Sequence, residues 1–291
     1  FMAVLGDEWG PIVLANLLAA TAFVTVWGAA KALFDRRTAD LAVLFLACWP
    51  GSMFLWAFLS EGLFVTATAG AVWADARGRH GAAAALVFVA GLTRSVGVVF
   101  GPILVLLRVW RLWRVDRVAL GYAGAWLLSF LAVLAVMEAS VGDALAPFKS
   151  QEAWGRSLGP PWVPVVDAIG IIIDKLPSPA LETSMNLVVT VLFLIVGAVG
   201  VAAALRVHGS AGSPSPPPAP AGVWTLVATA LPQFTGQITS MLRYVLGAWP
   251  GFVLVAYATS TRPRLRFVLL AGQVVVSLWL LRRHAMGIWV A

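Results

Sequence analysis

Long apolar runs separated by brief polar punctuation set the pattern of this chain. A helix needs roughly 20 apolar residues to cross a bilayer's hydrocarbon core, fewer where it is sheltered. Pro11 to Phe34 meets that length, and Leu41 to Leu59 follows with a Pro50-Gly51 break that predicts a kink. Further runs lie at Val118 to Met137, Thr183 to Leu205, Val223 to Met241, Tyr244 to Thr259 and Phe267 to Leu281. None of them alternates as a half-buried strand would, so the pattern predicts an all-α, polytopic transmembrane bundle.

Between Gly62 and Leu107 the threading turns on charge. Asp75 to His80 interrupts one apolar run and Thr93-Arg94-Ser95 another. If Ala82 to Leu107 were a single span, Arg77 and Arg79 would lie across the membrane from the basic stretch RVWRLWRVDR, Arg108 to Arg117. Basic residues gather in cytoplasmic loops, so a turn at Arg94 between two short helices is favoured. Carried along the chain, this gives about ten crossings, including the short ones around Arg94. The inner loops then hold 13 of the 20 basic residues. Glu61, Arg94, Arg243 and the segment from Glu138 to Glu182 all fall on the extracytoplasmic side.

Composition narrows the function. With 60% hydrophobic residues, 11% charged residues and a mean hydropathy of +0.90, this is not a soluble domain. The net charge of +7 is carried mainly by Arg and is explained by topology, so nucleic acid is not an expected partner. Cys48 stands alone and His80, His208 and His284 lack ligand spacing, which leaves no metal site to expect. The chain opens at Phe1 without Met or a cleavage signal, as an N-terminally truncated sequence would. Residues 1-291 read as one transmembrane domain with two distinctive loops. Residues 209-221, GSAGSPSPPPAPA, read as a cytoplasmic Pro-rich linker. The outer loop 138-182 is longer than a tether requires, and Phe148, Trp154 and Trp162 argue for an ordered piece against the membrane surface or a site.

A charge within hydrocarbon costs at least ~3 kcal/mol, so Glu61, Arg94 and Arg243 are expected at the outer end, facing a cavity or water. Each also has a plain structural reading. Glu61 follows Ser60 as the acidic first-turn residue of a capped helix, and either arginine could anchor at the headgroups. Arg108, Arg111, Arg114 and Arg117 read as a cytoplasmic basic stripe in contact with anionic lipid. Most of the tryptophans read as interface anchors or bundle packing.

Four segments, taken in order, carry a resemblance: WPGSMFLWAFLSEGLF (Trp49 to Phe64), GLTRSVGVV (Gly91 to Val99), QEAWGR (Gln151 to Arg156) and SMLRYVLGAWPGF (Ser240 to Phe252). Together the chain resembles bacterial members of the PIG-V-like glycosylphosphatidylinositol mannosyltransferase family, which are GT-C glycosyltransferases. Pro50, Ser52 and Phe54 match the family's proline-containing helix end, and Ser60-Glu61 its tyrosine-serine-glutamate element, with Leu59 in place of the tyrosine. Thr93, Arg94 and Gly97 match its threonine-arginine turn, and Arg243, Tyr244 and Pro250 its C-terminal arginine-tyrosine and proline. The resemblance implies a GT-C-like membrane bundle that transfers a sugar, mannose by analogy, from a polyprenyl-phosphate donor to an extracytoplasmic lipid or glycan acceptor at the cell membrane. It implies no cofactor. The family's catalytic aspartate would lie before Phe1, and Asp7 and Glu8 do not match its motif.

The implied substrate-binding residues are Ser60, Glu61, Arg94, Gln151, Trp154, Arg156, Arg243 and Tyr244. Glycosyl transfer from a lipid phosphate requires a carboxylate to take the acceptor proton and cations to hold the departing phosphate. Arginine suits the second task because its planar fork engages two oxygens. The rival reading is a transporter or flippase for a lipid-linked or small polar substrate. Such proteins often show two related halves with matching broken helices, and the TRSVG turn has no counterpart in the second half.

Overall fold

The structure, a computed structural model, describes residues 9-57, 60-94, 96-153, 155-176, 181-208 and 218-287. The described residues are helical throughout, without a strand. Helix α1 spans Gly10–Leu33 and α2 Arg36–Cys48, where Asp35 caps α2 by accepting from the Thr38 N–H. That bond, with a second from the Thr38 hydroxyl, holds the Asp35 carboxyl below its ordinary range. A 3-10 turn at Pro50–Ser52 and the short α3, Met53–Trp56, follow α2 at a bend of 75°. The kink expected at Pro50-Gly51 is therefore a full break. The chain continues with α4, Glu61–Ala76; α5, His80–Thr93; α6, Gly97–Leu112; and α7, Arg117–Val141. The turn expected at Arg94 is present, since Arg94 itself takes an extended conformation that ends α5.

The segment 138–182, expected as an outer loop, contains two helices, α8 at Ala146–Ala153 and α9 at Val163–Asp174. Beyond it come α10, Leu181–His208; α11, Pro218–Ala230; a 3-10 turn at Leu231–Thr235; α12, Met241–Tyr244; α13, Pro250–Thr259; and α14, Pro263–Ala285. Two sequence expectations change here. Residues 218-221 of the supposed linker begin α11, because proline is preorganised for a helix's first turn, where its missing N–H goes unneeded. The rest of that stretch, 209-217, lies outside the described residues. The runs Val223 to Met241 and Tyr244 to Thr259 are broken: each combines one helix with turns and loops rather than forming a continuous span.

Among the described residues, four helices are long and apolar enough to cross a membrane: α1, α7, α10 over Leu181–Leu205, and α14. The bent α2–α3 pair makes a fifth if it is one span. Helices α5, α6 and α13 are apolar but shorter. The chain is thus a helical membrane bundle, with large apolar side chains such as Leu127, Leu128, Val268 and Val275 exposed on α7 and α14 where lipid would cover them.

One group of helices packs α1 on α4, α4 on α5, and α5 and α6 on α7; a second packs α10 on α11, α11 on α13, and α13 back on α2. Trp49, Phe193 and Phe252 join the second group edge to face, with ring centroids 5.2 to 5.4 Å apart. Three buried indoles pin the C-terminal segment: Trp49 donates to the Leu242 carbonyl at 2.8 Å, Trp224 to the Gly247 carbonyl at 2.9 Å, and Trp249 to Thr68 Oγ1 at 3.2 Å. These tryptophans are internal fasteners, not interface anchors.

Candidate functional site

Helix α4 starts at Glu61 and α6 starts just beyond Arg94, so antiparallel packing of α4, α5 and α6 brings the two residues to one end of the bundle. Arg94 Nη1 and Arg243 Nε both donate to Glu61 Oε1. The Glu61 side chain is only 2% exposed, against 13% for Arg94 and 25% for Arg243. Glu61 therefore does not face an open cavity, as its sequence context led us to expect; two guanidiniums close over it. Its second oxygen, Oε2, is buried and without a partner among the described residues. Ser60 occupies the N-cap position but makes no side-chain capping bond, which removes half of the plain structural reading of Glu61.

The cluster extends through Tyr244. The Arg94 guanidinium lies 5.4 Å from the centre of the Tyr244 ring, and Arg156 Nη2 donates to the Tyr244 hydroxyl at 3.0 Å. Arg156 Nη1 in turn donates to Gln151 Oε1 at 3.2 Å, while its Nε is buried without a partner among the described residues. Four segments distant in sequence thus meet, and they bring together Glu61, Arg94, Gln151, Arg156, Arg243 and Tyr244. Trp154 lies outside the described residues. Ser60 is adjacent to the cluster and forms no hydrogen bond with it.

Backbone devices hold each arginine. Thr93 Oγ1 donates to the Ala90 carbonyl at 2.8 Å and the Gly97 N–H to the Arg94 carbonyl at 2.8 Å, which closes the turn around Arg94. A Cβ on Gly97 would sit 2.0 Å from the Ala90 carbonyl oxygen, so only glycine fits. On the other side, Ser240 adopts a left-handed conformation (φ 56°) just before α12, and Asn186 Oδ1 accepts the next N–H, that of Met241, at 2.8 Å. The 3-10 turn packs directly on this segment: a Cβ on Gly51 would lie 2.1 Å from the Leu242 carbonyl oxygen. Phe54 then sits under the Arg243 guanidinium, 5.8 Å from ring centre to cation. Sequence reasoning missed Gly51, Asn186 and Trp49 as supports. Gly51 and Trp49 lay inside a quoted motif, whereas Asn186 sits in an apolar run and gave no local signal.

Two segments of chain, 155–159 and 234–237, are tied together beside the cluster by three hydrogen bonds. The Ser157 N–H donates to the Thr235 carbonyl at 3.2 Å, the Gly159 N–H to the Phe234 carbonyl at 3.0 Å, and Gln237 Nε2 to the Gly155 carbonyl at 3.2 Å. The segment between α8 and α9 is thereby tied to the turn after α11, and Arg156 is delivered to Tyr244.

Charge decides what this arrangement can hold. Two guanidiniums hold one carboxylate and a third, that of Arg156, bonds the Tyr244 on which Arg94 stacks, so cations outnumber the carboxylate in a partly desolvated site. Such a site favours an anion with several oxygens, to which arginine binds in pairs of hydrogen bonds. Among the described residues no group of His, Cys, Asp and Glu could hold a metal ion. No protein family, curated protein or solved structure matches the chain.

A second polar cluster occupies the opposite end of α4 to α7. Arg108 donates through Nε and Nη2 to Asp116 at 2.7 to 3.0 Å and through Nη1 to Asp75 at 3.2 Å. Asp116 also caps α7 by accepting from the Ala119 N–H, and these bonds hold its carboxyl well below the usual carboxylate range. Arg108 therefore leaves the basic stripe: it is a partly buried partner of two carboxylates.

Proposed function

We propose that this protein is a membrane glycosyltransferase that takes a sugar, mannose on the strength of the family resemblance, from a polyprenyl-phosphate donor and passes it to a lipid or glycan acceptor on the extracytoplasmic face of the cell membrane. The reading takes the fold as GT-C-like, with about ten crossings once the shorter helices are counted. The observation that carries it is the convergence of Arg94 and Arg243 on a single carboxylate, Glu61, with Arg156 joined to them through Tyr244, at one end of an apolar bundle.

In the reaction the acceptor hydroxyl oxygen forms a bond to the sugar's anomeric carbon. The bond from that carbon to the donor phosphate oxygen breaks, its electron pair stays on the phosphate, and the hydroxyl proton passes to a base. The arginines stabilise the charge that gathers on the phosphate. Glu61 aims Arg94 and Arg243 through its Oε1. With one oxygen committed to two guanidiniums, Glu61 is a positioning residue rather than the base. Tyr244 and Gln151 orient Arg156.

Equilibrium binding to the purified full-length protein tests the phosphate role. Polyprenyl phosphate is expected to bind and the matching polyprenol to bind at least about tenfold more weakly, with Arg94→Ala and Arg156→Ala each removing most of that difference. Equal affinity for the two lipids would overturn it.

A further inference from the structure

At the end of the bundle away from Glu61 lies a cavity of about 140 Å³ between α4, α6, α7, α11 and α13. Phe100, Ile103, Leu104 and Leu107 of α6 form one wall, and Trp224 and Trp249 form another. Engineered apolar cavities of about 150 Å³ stay dry and bind benzene, so this space suits a hydrocarbon body of some half-dozen carbons. None of the residues gathered around Glu61 lines it.

Its polar lining is Asp75, Arg108 and Tyr122. Asp75 Oδ1 is heavily engaged: it accepts from the Tyr122 hydroxyl at 2.5 Å and from Arg108 Nη1 at 3.2 Å, and lies 3.0 Å from His80 Nδ1. Asp75 Oδ2 has no partner among the described residues. A carboxylate oxygen at the edge of an apolar cavity thus retains its full capacity to accept a hydrogen bond.

The surrounding charge selects the head group. A carboxylate or phosphate head would meet Asp75, and the cation beside it, Arg108, is already engaged by Asp75 and Asp116. An ammonium head would have to compete for Asp75 with Arg108, the other charged residue of the lining, which already donates to it at 3.2 Å. A neutral hydroxyl avoids both conflicts and can donate to Asp75 Oδ2. We propose that this cavity is a binding site for a neutral amphiphilic alcohol, its hydrocarbon body between α6 and Trp224 and its hydroxyl on Asp75. The proposal does not depend on the glycosyltransferase reading.

The test is photolabelling of the purified full chain in lipid nanodiscs with a 1-octanol analogue carrying a mid-chain diazirine, the labelled peptides being mapped by mass spectrometry. Labelling is expected within Phe100 to Leu107 and around Trp224. Competition by 1-octanol should be about tenfold stronger than by octylamine or octanoate, since only the alcohol satisfies Asp75 without a charge conflict. Ile103→Trp, which fills the space, should abolish labelling, and Asp75→Asn should erase the advantage of the alcohol; the melting midpoint of each variant reports whether it has folded. The competition series on the native chain decides even if neither variant folds. Equal competition by all three head groups, or labelling confined to lipid-facing residues such as Leu127 and Leu128, would overturn the proposal.

Discussion

Glu61 is buried with two cations on one oxygen, and that arrangement makes opposite demands on its partners. Removing the carboxylate leaves Arg94 and Arg243 facing each other in a poorly hydrated pocket, and breaking a buried ion pair from one side costs about 3–5 kcal/mol. Glu61→Gln is therefore expected to lower unfolding stability in detergent by that order. Combining it with Arg94→Gln should cost less than the sum of the single changes, because the second substitution relieves the repulsion left by the first. Strict additivity would show that the contacts to Glu61 contribute no coupling. At this scale the sequence was informative about which residues stand out and silent about how they meet. Glu61, Arg94 and Arg243 were conspicuous as charges within apolar stretches. That Glu61 lies beneath the arginines, instead of facing a cavity, depends on contacts across 33 and 182 residues, which no local pattern encodes.

The elements around the site work as a clamp built on close backbone approach. The break at Pro50-Gly51 was legible because proline and glycine interrupt an apolar run. Its purpose was not, since it depends on the Leu242 carbonyl pressing on Gly51 and accepting from the Trp49 indole. Gly51→Ala places a methyl group where there is no room, an overpacking cost of about 1–3 kcal/mol. It should displace α12 and with it Arg243, so phosphate affinity should fall while far-ultraviolet circular dichroism stays helical. Unchanged lipid binding in that variant would show that Arg243 is held by something else. The turn at Arg94 was inferred from charge bias and is present because Gly97 permits it. The supposed linker shows the opposite outcome: a proline-rich composition predicted no helix through residue 221, yet prolines at 218 and 220 suit the first turn of α11.

Across the whole molecule, two charged clusters sit at opposite ends of α4 to α7, roughly 20 Å apart along helices of about fifteen residues. The apolar middle separates the end that holds Glu61, Arg94 and Arg243 from an end closed by Asp75, Arg108 and Asp116. The threading deduced from basic residues placed those ends on opposite sides of a membrane, and single cysteines test it in a Cys48→Ala background. Leu158→Cys in the exposed outer loop is expected to react with an impermeant thiol reagent added outside intact cells. Arg79→Cys at the other end should react only after permeabilisation; labelling of both under the same condition would break the threading. The most direct measurement of the account is transfer of labelled mannose from polyprenyl-phosphate mannose in membranes carrying the full-length protein, with Arg94→Ala and Arg156→Ala alongside. The account predicts transfer by the native protein and a loss of about 10²–10³-fold in each variant, the scale at which removing one charge-stabilising donor slows a reaction. Transfer undiminished in both variants, or absent from the native protein, would contradict it.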